Sequence, residues 1–160
     1  MADRDPGRYE QATMISVRAC CVYRIAEGSI THAGEWQDQS INVLLPQNAK
    51  VQGANLVIAR DTVPLGLTFH DYVVQHRQAL SAQLAGIEMI ADTAGTIDGH
   101  EAHFLELRWR SDGKPIHQVM AMVVHDANAV LQFTGSVPGG YDEDTRNALI
   151  AAITSFTFTP

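Results

Sequence analysis

The chain has 160 residues, 46% of them apolar and 18% charged, with 11 Lys and Arg against 18 Asp and Glu for a net charge of −7. That length suits one domain with enough chain to bury a core. The negative balance, with no basic run against it, argues against nucleic acid and anionic membrane surfaces as partners. Residues 1–15 combine Asp, Arg, Pro and Gly without an apolar signal segment, and read as a disordered tail ahead of a single domain at 16–160. No apolar run approaches the roughly 20 residues of a membrane span. Val17-Arg18-Ala19-Cys20 has the outline of a lipoprotein cleavage box, but no apolar stretch precedes it and lipidation is not expected. The only cysteines, Cys20 and Cys21, are adjacent, which disfavours a disulfide and favours a reducing compartment.

Ser16 to Ala26 reads as a first strand, interrupted by Glu27-Gly28-Ser29, and Ile30 to Trp36 as a connection. Asp38 to Leu45 is a second strand, ended by Pro46, and Asn55 to Asp61 a third. Thr68 opens a helix, with Asp71 placed to complete a capping box and Gly86 to stop it. Phe69, Tyr72, Val73, His76, Leu80 and Leu84 recur at helical spacing as its core stripe. Its outer face carries Gln75, Gln78, Ala82 and Ala85 where a solvent face would carry Lys and Glu. Four strands follow: Ile87 to Ile97, His100 to Arg110, Lys114 to His125 and Ala129 to Ser136. Asp98-Gly99 and Asp112-Gly113 between them signal tight hairpins. A last helix runs from about Asp142 to Ser155, with Leu149, Ala152, Ile153 and Phe156 as its buried stripe. The order ββ(β)–α–ββββ–α predicts an α+β fold, an antiparallel sheet with helices packed against it.

Chemistry-bearing clusters are sparse. His100 and His103 point to opposite faces of a strand, and His117 and His125 stand about 26 Å apart by strand rise, so neither pair can chelate an ion together. Glu101 and Glu106 also face apart. There is no nucleophile elbow and no phosphate loop, and Asp142, Glu143 and Asp144 would repel an anion from the last helix. No catalytic residue, metal site or cofactor is expected, and an enzyme is disfavoured.

The strand Lys114 to His125 is apolar on both faces, as an interior strand would be. On one face Gln118 stands among Ile116, Met120 and Met122; on the other, Val119, Ala121 and Val123 pack the domain. Together with Ile41 and Val43 and the neutral helix face, the Gln118 face has two open readings. One is ordinary core beside bland solvent surface. The other is a groove for an apolar peptide, in which methionines adapt and glutamines satisfy polar groups without the desolvation cost of a charge.

Tyr23-Arg24-Ile25, Glu27-Gly28-Ser29-Ile30, the run Trp36 to Leu44, Asn55 to Asp61, Asp98-Gly99, Arg108-Trp109-Arg110, His117-Gln118 and Ser155-Phe156 occur in the order found in DcrB-like bacterial proteins. Within that family the pattern resembles the Eag, or effector-associated, chaperones of type VI secretion, from about Tyr23 to Phe158. The resemblance implies a PsbP-like fold and a cytoplasmic homodimer. Its groove would hold the N-terminal transmembrane helices of a cognate effector before export and help present the effector to the spike complex. Carried onto this chain, the implied groove residues are Ile41, Val43, Gln75, Ala79, Ala82, Ile116, Gln118 and Met120. A DcrB-like envelope or interaction protein without a chaperone role is the alternative, and a small-molecule enzyme a more distant one.

Overall fold

The computed structural model describes residues 20–47 and 50–159. The expected tail and the first residues of the first predicted strand lie outside them. The chain's contacts divide it into two units, Met1–Gln37 and Asp38–Pro160.

In the first unit β1 (Cys20–Ile25) and β2 (Gly28–Ala33) form an antiparallel hairpin with Ile25 opposite Gly28. The expected connection from Ile30 to Trp36 is therefore largely strand. Ala26 and Glu27 reverse the chain, and the β-branched pair Ile30-Thr31 continues it in ladder geometry. Trp36, beyond the hairpin, stacks on His32 with ring centroids 4.6 Å apart.

The second unit begins with β3 (Asn42–Leu44), much shorter than the predicted strand from Asp38 to Leu45. Asp38 takes hydrogen bonds from the backbone N–H of Ser40 at 2.8 Å and from its hydroxyl at 2.5 Å. This local turn pulls 38–40 out of the extended ladder. Next come β4 (Asn55–Thr62), α1 (Phe69–Gln83), β5 (Glu88–Ile97), β6 (His100–Ser111), β7 (Lys114–His125), β8 (Ala129–Pro138) and α2 (Glu143–Thr154). The strands form one six-stranded antiparallel sheet in the order β3-β4-β8-β7-β6-β5. Both hairpin turns adopt the predicted positive φ, at Asp98 and Gly99 (50° and 78°) and at Asp112 and Gly113 (50° and 76°). Thr68 caps α1 reciprocally with Asp71. The helix ends at Gln83 with Leu84 as its cap, so Gly86, at φ 62°, stands two residues past the cap.

Each helix covers one face of the sheet. Under α2, Leu149 and Ile153 pack on Val119, Ala121, Val123, Leu131, Phe133 and Val137. Ala152, expected in that stripe, is exposed. Gly135 makes the close approach possible: a Cβ there would sit 3.0 Å from both Leu149 and Val119. Under α1, Tyr72 and Val73 pack with Leu105, Leu107, Met120, Met122 and Val130, flanked by Leu80, Leu84 and Trp109.

Candidate binding groove

The sheet face beneath α1 is only partly covered, because the helix crosses it obliquely. At its start, Tyr72 donates from its hydroxyl to Asp61 of β4 at 2.7 Å, and Gln132 of β8 bonds the same pair. Further along, Arg77 pairs with Asp92 of β5. Past its end, the carbonyl of Ala85 accepts from the backbone N–H of Arg110 on β6 at 2.9 Å. The helix thus runs from β4 and β8 towards β5 and β6. Beneath its middle the apolar sheet residues are closed off from solvent; Met122 and Leu107 are 0% exposed.

The opposite corner of this face stays open. Strand register sets Val43, Val57, Thr134 and Met120 side by side on β3, β4, β8 and β7. The adjoining row is Asn55, Ser136 and Gln118, and beyond it Pro138 faces Ile116. Apart from Met120 these residues are half-buried or exposed, and none carries a charge. From β3 to β7 is three strand spacings, about 14 Å, wide enough for one helix of about 10–12 Å diameter.

The flank of α1 formed by Tyr72, Gln75, His76, Ala79 and Ala82 has no acidic, lysine or arginine side chain of its own. Burial first, then the hydrogen bond to Asp61, pushes the Tyr72 phenol well above its ordinary range, so it stays protonated. Burial lowers the pKa of His76 and favours its neutral ring, which stacks with Tyr72. Gln75, Ala79 and Ala82 are exposed on α1.

Of the eight residues named from the sequence, the structure brings Val43, Ile116 and Gln118 onto one open sheet face. Ile41 lies just ahead of β3 and is 63% exposed. Met120 differs: it is 6% exposed and packs beneath α1, because the oblique helix reaches its row of the sheet. Four groove residues escaped the sequence reading: Asn55, Val57, Thr134 and Ser136. For Thr134 and Ser136 the signal was present in the alternation of β8, where polar Gln132, Thr134 and Ser136 interleave with buried Leu131, Phe133 and Gly135. Gln118 is itself engaged. Its Oε1 accepts from the Trp109 indole N–H at 3.0 Å, and its Nε2 donates to the Ser136 hydroxyl oxygen at 2.9 Å.

The α2 face holds a second polar feature. His117, expected among scattered surface or partly buried histidines, is 1% exposed and bonds Glu106 at 2.7 Å, while Arg146 of α2 grips the same carboxylate. The Arg146 guanidinium, helped by His117, holds the Glu106 carboxyl below its ordinary range. Among the described residues no group of three or more His, Cys, Asp or Glu could hold a metal ion. No described helix is long and apolar enough to cross a membrane.

The family model described as DcrB matches residues 27–155. The chain belongs to the DcrB family. Within it, this DcrB-family chain is similar to Effector EagT6 of Pseudomonas aeruginosa, with 32% identity over 96 residues, 59% of this chain and 67% of that protein. A crystal structure of PA94, a Pseudomonas aeruginosa protein of unknown function, superposes with a TM-score of 0.71 at 26% identity, covering 88% of this chain and 98% of the other. LpqN of Mycobacterium tuberculosis, whose structure is described as involved in cell envelope biogenesis, shares the fold at a TM-score of 0.51 and 16% identity, over 74% and 82% of the two chains.

Proposed function

We propose that this chain is an effector-associated chaperone of type VI secretion. It binds the N-terminal transmembrane helices of a cognate effector, shields them in the cytoplasm before export and helps load the effector on the spike complex, acting as a homodimer. One observation carries the reading: the uncharged strip beside α1, lined by Val43, Val57, Thr134, Ser136, Gln118 and Ile116, which is about one helix wide. An apolar helix of about 20 residues left in water would aggregate. A strip without charges can cover it without stranding an ion in an apolar contact. The similarity to Effector EagT6 supports the type of client.

Co-expression with the N-terminal fragment of an effector encoded beside this chain tests the proposal. The fragment is expected in the soluble fraction, co-purifying with the chain, and to lose that partner when Ile41→Asp is introduced. A fragment that stays insoluble with the chain, or that is equally soluble without it, overturns the reading.

A further inference from the structure

The hydrogen-bond chain at the groove floor has a fixed direction. An indole N–H only donates, so the Gln118 atom 3.0 Å from Trp109 Nε1 is the carbonyl oxygen. The amide nitrogen must then be the atom 2.9 Å from Ser136 Oγ. An amide NH2 also only donates, so the serine oxygen accepts and its own hydrogen points elsewhere. Among the described residues no acceptor takes that hydrogen. Asn55, opposite Ser136 on β4, turns its own Nδ2 to the carbonyl of Gly53 at 3.1 Å. Thus Trp109, Gln118 and Ser136 relay polarity across three strands and end in one hydroxyl donor. Aligned hydrogen bonds reinforce one another, which strengthens that terminal donor. Around it lie Val57, Thr134 and Ile116, all half-buried.

A client laid over this floor excludes water from the hydroxyl. A purely aliphatic client leaves the donor unsatisfied, whereas a client with an acceptor at that point completes the chain. On an apolar helix the small side chains able to accept without bulk are serine and threonine, the residues membrane helices use in their own contacts. We infer that the Ser136 hydroxyl, oriented by Gln118 and Trp109, is a specificity determinant favouring apolar helices with a serine or threonine at the crossing point. This rests on the chaperone reading and adds the class of helix preferred. It also moves the polar contact expected of Gln118 one residue outward: Gln118 positions, and Ser136 touches.

The test uses two synthetic Leu/Ala helices of about 20 residues with lysines at both ends, one carrying a central serine and the other alanine there. Binding of each to the full chain is followed by fluorescence anisotropy. The serine helix is expected to bind roughly tenfold more tightly, and Ser136→Ala to abolish the difference between the two. Ser136→Cys, with a weak donor of similar size, is expected to fall between and guards against a folding defect in the alanine variant. Equal binding of both helices to the wild-type chain, or a preference that survives in Ser136→Ala, overturns the inference and leaves the chaperone reading standing. If neither helix binds, the inference is overturned, and the co-expression with the cognate fragment decides the chaperone reading.

Discussion

Arg146 on α2 holds both oxygens of Glu106 on β6, each at 2.6 Å. A planar guanidinium and a carboxylate matched in this way make one of the stronger ion-pair geometries. His117 reaches the same carboxylate from β7, so one acid ties a helix to two strands. Replacing the acid leaves an enclosed histidine and an arginine without their partner. Glu106→Gln is expected to cost about 1.5–3 kcal/mol of unfolding free energy, measured by urea denaturation.

The same pair sets a pH dependence. Arg146 lowers the folded-state pKa of Glu106, so the unfolded chain binds its proton more readily. The contribution to stability is complete above the ordinary glutamate range. It weakens as the pH falls below that range and is gone once the pH has dropped through the lowered folded value. Thermal unfolding of the wild type and Glu106→Gln between neutral and acid pH should show the wild type losing its advantage in that window. Parallel curves would remove Glu106 as the cause.

Gly135 lets α2 approach the sheet closely. An added methyl would press on Leu149 and Val119, so Gly135→Ala is expected to destabilise by about 1–3 kcal/mol in denaturant titration, without altering the open face beside α1.

Residues near the groove separate into those that make the fold and those that meet a client. Met120→Ala removes a side chain buried beneath α1 and is expected to cost about 2–5 kcal/mol. Val43, 56% exposed on β3, should tolerate Val43→Asp within about 0.5 kcal/mol. Client capture is the discriminating readout, and there Val43→Asp is expected to be the damaging change in a chain whose melting temperature is preserved.

Thr68→Ala tests the start of α1. Losing the capping side chain exposes the N–H of Asp71 and is expected to cost about 0.5–2 kcal/mol, read by thermal unfolding.

Local chemistry made part of this fold legible. The Thr68 and Asp71 pair announces a helix start, and the two Asp-Gly dipeptides announce hairpins, because each depends on residues adjacent in sequence. The period-two pattern of β7 separates Val119, Ala121 and Val123, which pack under α2, from the face that carries Gln118. Long-range pairing was not legible. No local signal says that β8 lies between β4 and β7, so Thr134 and Ser136 could not be set beside Gln118. Nor does helical phase reveal the oblique crossing of α1, which takes Met120 from the groove into the core. The Glu106, His117 and Arg146 group was hidden for the same reason, since its members come from three elements.

The two outer strands of the sheet have a consequence for how such a molecule behaves when concentrated. On one side β3 is three residues long, and the turn at Asp38 and Ser40 ends its extended backbone. On the other, β5 breaks register with β6 between Met89 and Ala91. A short border offers few free backbone groups for another chain to zip onto, and a kinked one offers them out of line. The six-stranded sheet, although one of its faces exposes an apolar strip, is thereby poorly suited to grow by strand addition at its borders, and contact through that strip is left to side chains.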